Sequence, residues 1–130
     1  MTTSRNQKLI LVVEDDEEIL SSLKIFLELE GYKVLTAQNG FEAMNILKTS
    51  DIPNLILLDM KMPIMNGWEF AIEFLDKHDH NAPIVVMTAA ADAEQRAKDI
   101  HAIGWVAKPF DLDVLLAKIK KHERTTPLKE

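Results

Sequence analysis

Five short aliphatic runs, each too brief for a buried helix, alternate along this chain with stretches of helical spacing, and few folds accommodate that alternation. The runs are Leu9–Val13, Val34–Leu35 within Lys33–Ala37, Leu55–Leu58, Ile84–Met87 and Trp105–Ala107. They are apolar throughout instead of alternating with polar residues, the pattern of strands covered on both faces. Strands joined through helices require right-handed crossovers, which makes the sheet parallel.

The intervening segments supply the helices. Asp16 is placed as an N-cap, with Glu17 and Glu18 suited to the positive end of the helix dipole. Ile19, Leu23, Phe26 and Leu27 then form an inward stripe that Gly31 stops. Asn39-Gly40 turns the chain into a helix with Ala43, Ile46 and Leu47 inward, ending near Ser50. Trp68 to His78 carries Phe70, Ala71, Phe74 and Leu75 on one face, and Asn81-Ala82-Pro83 closes it. Ala90 to Ile103 is expected as a helix rich in alanine whose thin packing face depends on Ile100. Asp111 caps the last helix, with Leu112, Leu115, Leu116 and Ile119 inward, and Lys118, Lys120, Lys121 and Arg124 complement its C-terminal end.

The expected fold class is therefore α/β: a doubly wound, five-stranded parallel sheet of flavodoxin-like (βα)5 form with strand order 2-1-3-4-5. A chain of 130 residues fits one domain, 1–130, with a core of about 8–123 and flexible ends at 1–7 and 124–130. The absence of cysteine excludes disulfides, thiolate metal sites and cysteine nucleophiles. No apolar run approaches a membrane span and the first eight residues are polar, so a cytoplasmic protein off the membrane is expected. A formal net charge of −6 argues against a sequence-independent grip on nucleic acid.

Open α/β sheets place their chemistry at the carboxyl ends of the strands. Here the first strand ends in Glu14 and Asp15, the third in Asp59, the fourth in Thr88, and the fifth in Lys108. In the 2-1-3-4-5 order Asp15 and Asp59 should meet at the switch point. Three carboxylates brought together repel unless they share a cation or take up protons. Hard oxygen donors suit Mg2+ better than zinc, which would want histidine or cysteine. His78, His80, His101 and His122 are scattered over helix ends and loops, and none is assigned as a ligand or phosphodonor.

Taken together, these motifs resemble the receiver domain of two-component response regulators. The resemblance runs from about Leu9 to Ile119 and rests on Val-Val-Glu-Asp-Asp at 12–16, Leu-Leu-Asp-Met-Lys-Met-Pro at 57–63, Met-Asn-Gly at 65–67, Met-Thr-Ala at 87–89 and Lys-Pro-Phe at 108–110. It implies that Asp59 is the phosphoacceptor. Mg2+ would be held by Asp15 and Asp59, by Glu14 through water, and by the backbone carbonyl of Lys61. Thr88, with Ala89 beside it, would bind the phosphoryl group, Lys108 would pair with it, and Trp105 stands at the position of the family's switch aromatic. Lys61 and Ala90 stand where the family tunes how fast water reaches the acyl phosphate. His101 replaces a frequent glycine, and tryptophan at 105 is bulkier than the usual tyrosine or phenylalanine.

The partners implied are a sensor histidine kinase or histidine phosphotransfer protein and a downstream target protein. No direct nucleic-acid binding is implied, and the expected state is a monomer or a phosphorylation-dependent dimer. With about seven polar residues after the last helix, the chain is expected to be either a stand-alone regulator acting by protein contact, the favoured form, or a piece of a longer protein. An aspartyl phosphohydrolase would want a second acid two residues after its nucleophile, and that residue is Lys61. A receiver-like module that is never phosphorylated would usually have lost one of Glu14, Asp15, Asp59, Thr88 or Lys108. A flavin or nucleotide site would want a glycine- or hydroxyl-rich first loop, where Glu14-Asp15-Asp16 would repel phosphate.

Overall fold

The computed structural model describes residues 7–62, 64–78, 82–89 and 93–124, without the side chains of 75–78 and 93. Expectations placed on Pro63, Leu75, Asn81, Ala90 and the tail beyond Arg124 lie outside the described residues. Strands and helices alternate: β1 (Leu9–Val13), α1 (Glu17–Leu29), β2 (Lys33–Ala37), α2 (Gly40–Thr49), β3 (Leu55–Asp59), α3 (Gly67–His78), β4 (Ile84–Thr88), α4 (Ala93–Asp99), β5 (Gly104–Ala107) and α5 (Leu112–His122). The strands pair in parallel in the expected order β2-β1-β3-β4-β5.

Successive side chains leave a strand on opposite faces, so the sheet divides the core in two. Leu11, Val13, Ile56, Leu58, Ile84 and Val86 pack under α2, α3 and α4, against Met44, Leu47, Phe70, Phe74, Ala97 and Ile100. Ile10, Val12, Leu55, Leu57, Val85 and Met87 pack under α1 and α5, against Leu20, Leu23, Leu27, Leu115 and Ile119. Leu112, expected inward, is instead 38% exposed. It belongs to the first turn of α5 and lines a cleft beside Phe110 at the carboxyl edge of the sheet.

Caps fix where the helices begin. The Asp16 carboxylate accepts from the amides of Glu18 and Ile19 at 2.9 and 3.1 Å, and Asp111 accepts from that of Asp113 at 2.7 Å. Asn66 and Glu69 exchange side chain to backbone hydrogen bonds at 2.9 Å each, a capping box that starts α3. Helix α1 stops as expected at Gly31, whose φ of 98° is left-handed; Tyr32 N donates to Leu27 O at 3.1 Å and Gly31 N to Glu28 O at 3.0 Å.

Helix α4 differs from expectation, ending at Asp99 instead of running to Ile103. The same closure stops it, with His101 at φ 58° in the glycine role, Ala102 N donating to Ala97 O at 2.8 Å and His101 N to Lys98 O at 3.1 Å. Ile103 N already donates to Ile84 O at 2.8 Å, aligning β5 beside β4. At the other end of the fold, Arg124 N donates to Asn54 O at 3.0 Å and Asn54 Nδ2 to Arg124 O at 2.9 Å, which ties the second residue after α5 to the residue before β3.

The loop between β3 and α3 contains a strained residue. Ile64 has φ 67° and is 79% exposed. Its neighbours are pinned: Gly40 N donates to Met65 O at 2.8 Å and Gly67 N to Met60 O at 3.2 Å. A side-chain-bearing residue in this conformation costs about 1–2 kcal/mol, and so exposed a side chain recovers little by burial. Asparagine tolerates the same backbone, so Ile64→Asn is expected to raise the unfolding free energy by about 1 kcal/mol in urea titration at unchanged slope. A lower midpoint would show that the isoleucine side chain stabilises the loop.

Candidate functional site

Strands β1 and β3 are neighbours with Val13 opposite Leu58, so the next residues, Glu14 and Asp59, leave the sheet side by side. Glu14 N continues the pairing to β2 by donating to Ala37 O at 2.9 Å, which holds its backbone to the sheet. Its side chain is buried, 1% exposed, and Asp59 is 4% exposed. Asp15 is open to solvent. One carboxylate oxygen from each of the three lies within 4.8 Å of the other two.

Lys108 reaches this cluster from the end of β5. Its backbone N donates to Thr88 O at 2.9 Å, which seats it beside β4. Its ammonium lies 2.6 Å from Glu14 Oε1 and 3.5 Å from Asp59 Oδ1, so the main ion pair is with Glu14. The second Glu14 oxygen accepts from Asp16 N at 3.1 Å, and Asp59 Oδ1 faces Lys61 N at 3.5 Å. Thr88, buried at the end of β4, completes the floor. These residues, with Ala89, Asp16 and Ile19, line a cleft of about 410 Å3.

The electrostatics follow from three carboxylates facing one ammonium. Burial, then the charge of Glu14, pushes the Asp59 carboxyl up to about 6; Lys108 and the Lys61 amide act in the opposite direction, and Asp15 adds to the rise. Burial disfavours the charge on Lys108, but the Glu14 hydrogen bond and the charges of Asp59 and Glu14 outweigh it and hold its ammonium above the ordinary lysine range. The cluster retains an excess of negative charge, and its donors are all hard oxygens. It fits Mg2+, with Asp15 on the solvent side where the ion could keep part of its water shell.

Glu14, Asp15, Asp59, Lys61, Thr88, Ala89 and Lys108 thus surround one cleft, as their strand-end positions implied. Trp105 does not line it. It stands half-buried on β5 among residues packed under α2, α3 and α4, with the Lys118 ammonium 5.5 Å from its ring centroid. Lys118 and Lys120 also do more than complement a helix end, since Lys120 lies 5.9 Å from the Tyr32 ring centroid. Ile19 and Phe110 were readable only as core or loop residues. Yet they line an apolar cleft of about 550 Å3 that shares Ile19, Ala89 and Lys108 with the acidic one. Only the folded arrangement shows that adjacency.

Comparison with known proteins gives the same picture. The family model of the response regulator receiver domain matches residues 10–120. Sporulation initiation phosphotransferase F of Bacillus subtilis is 37% identical over 119 residues, 90% of this chain and 94% of that protein. Response regulator MprA of Mycolicibacterium vanbaalenii is 38% identical over 121 residues, 91% of this chain but only 52% of that protein. Among solved structures, response regulator protein TrrA of Thermotoga maritima in complex with Mg2+-BeF superimposes with a TM-score of 0.79 at 36% identity, covering 88% of this chain and 98% of the other. Chemotaxis protein CheY4 of Vibrio cholerae gives a TM-score of 0.81 at 28% identity, covering 89% and 98%. With a family match across nearly the whole described sheet and a curated relative covered almost end to end, this chain belongs to the response regulator receiver domain family.

Proposed function

We propose that Asp59 accepts a phosphoryl group from a phosphohistidine on a sensor kinase or phosphotransfer protein. The observation that carries this reading is the placement of Asp59: a buried strand-end carboxylate flanked by two further carboxylates and a lysine in one open cleft. In the transfer an Asp59 oxygen attacks phosphorus in line; the new O–P bond forms as the N–P bond breaks, and the leaving imidazole takes up a proton. Lys108, released from Glu14, pairs with the phosphoryl oxygens, and the Thr88 hydroxyl donates to them. Asp15, Asp59 and the Lys61 carbonyl, with Glu14 through water, would hold Mg2+ here, and the ion would supply positive charge to neutralise those oxygens. The resulting mixed anhydride is open to attack by water, which returns Asp59 to the carboxylate and makes the mark temporary. Lys61 is exposed and lines this cleft.

The apolar cleft of Ile19, Leu23, Pro109, Phe110 and Leu112 supports a docking role for the donor protein. It adjoins the acidic cleft, so an apolar helix face seated there would bring its histidine to Asp59. We read the chain as one receiver domain, core about 8–123, acting in the cytoplasm. Among the described residues no helix is long and apolar enough to cross a membrane. The output is a protein contact switched by the gain of charge at Asp59.

Three outcomes test this reading. Intact mass after incubation with acetyl phosphate should show one phosphoryl adduct that requires both Mg2+ and Asp59 and is absent from Asp59→Asn; an adduct persisting in that variant would move the acceptor elsewhere. Phe110→Ala should slow transfer from a histidine phosphotransfer protein about tenfold while leaving the acetyl phosphate rate unchanged, and equal slowing of both would place Phe110 in the chemistry instead of docking.

The third outcome concerns stability in metal-free buffer. The folded carboxyl of Asp59 titrates near 6 against an ordinary 3.8, so between these values the folded chain holds a proton that the unfolded chain releases. Stability from this group therefore falls as pH rises through that window, and above it the full cost, on the order of 3 kcal/mol, is present. Asp59→Asn should be more stable than the parent in EDTA at pH 7.5, with the gap closing as the pH falls toward 4. Mg2+ should raise the melting temperature of the parent alone. A gap that persists at pH 4 would trace the gain to something other than the charge.

A further inference from the structure

Helix α4 is lightly seated. Among the described residues it buries Ala97, and Ile100 lies just beyond its end. An alanine methyl offers little apolar area, so burial alone does not strongly fix the position of the helix on the sheet. A contact from the side then carries more weight. Arg96, one residue before Ala97, places its guanidinium 4.9 Å from the ring centroid of Trp68 on α3, within the range of a cation–π contact.

Trp68 is itself joined to the acidic cluster from behind. It is half-buried, packed against the core under α3, and follows Gly67 directly. Gly67 lies so close to the end of β3 that a Cβ there would stand 2.8 Å from the carbonyl oxygen of Asp59 and 2.7 Å from Met60 Sδ. Gly67 N also donates to Met60 O at 3.2 Å. A shift of the Asp59–Met60 backbone is therefore passed to the first turn of α3, where Trp68 stands. In the arrangement described here Lys108 is committed to Glu14 at 2.6 Å, and the position of α4 that accompanies this ion pair is called its resting seat.

We propose that the Arg96–Trp68 contact is a restraint that holds α4 in its resting seat and links that seat to the Asp59 backbone through Gly67. The route passes through neither Thr88 nor Trp105. Its regulatory half rests on the phosphoacceptor reading above. If α4 leaves the seat when Asp59 is modified, the contact opposes the modification. Linkage then requires that removing the contact favour it.

The test uses Arg96→Gln, Trp68→Phe combined with Arg96→Gln, and Trp68→Leu, with Arg96→Lys as the variant that keeps a cation over the ring. Phosphorylation by acetyl phosphate with Mg2+ is followed by intact mass, and hydrogen exchange is measured over residues 94–99. Arg96→Gln and Trp68→Leu should each phosphorylate about threefold faster and exchange α4 amides about threefold faster, the range of one cation–π contact. The combined variant should be no faster than Arg96→Gln, because the partner has already gone. Arg96→Lys should stay near the parent. Unchanged rates, or gains that add in the combined variant, would overturn the proposal. If the parent itself takes no phosphoryl group, the phosphoacceptor reading fails and hydrogen exchange alone decides the restraint: unchanged α4 exchange in Arg96→Gln removes it. Should Trp68→Leu unfold, Arg96→Gln, Arg96→Lys and the combined Trp68→Phe, Arg96→Gln variant still decide.

Discussion

The pairing of β1 with β3 is the constraint on which the site depends. Val13 opposes Leu58 across a parallel ladder whose side chains are buried on both faces, and a slip of one residue would turn every one of them to the wrong side. Burial thus sets the register, and the register puts Glu14 beside Asp59. The cost appears at once as electrostatic repulsion, because the packing that aligns the strands also removes water from two of the carboxylates. Lys108 relieves part of it, but its closer partner is Glu14, leaving Asp59 the less satisfied of the two.

That imbalance connects fold to chemistry. A carboxylate satisfied in every direction would be stable and inert. Asp59 instead keeps a rim open to the cleft and an ammonium 3.5 Å away that already has another partner. Any group that brings its own negative charge to Asp59 can draw Lys108 across without ordering a new side chain. The helices on either face are seated differently: among the described residues α4 buries Ala97 and meets α3 through Arg96 and Trp68, while α1 and α5 bury leucine and isoleucine.

Much of this was legible in the residues alone. Short apolar runs alternating with helical stripes dictate a doubly wound parallel sheet, and polar residues at strand ends converge because all strands run the same way. The positions of Asp59, Thr88 and Lys108 follow from that without any knowledge of side-chain reach. What stayed hidden depends on distances across the fold. The stop of α4 at His101 was obscured because histidine is an uncommon choice for a left-handed backbone, and the helical pattern continued past it. Arg96 over Trp68 and Lys118 near Trp105 join residues on different elements, and no periodicity pairs them. The apolar cleft at Phe110 lies between two segments that are far apart in the chain, so its parts looked like separate fragments of core.

Gly67 and Gly40 act by what they lack. A Cβ at Gly67 would press on the carbonyl of Asp59, and one at Gly40 would stand 2.7 Å from Met65 Cγ and 2.9 Å from the Cβ of Phe70. Mutational surveys that truncate side chains to find important positions pass over both, because there is nothing to truncate. Surveys that enlarge residues would register them among the least tolerant positions in the chain. The two kinds of map would therefore disagree most at Gly40 and Gly67, where α2 and α3 begin beside the reactive edge of the sheet.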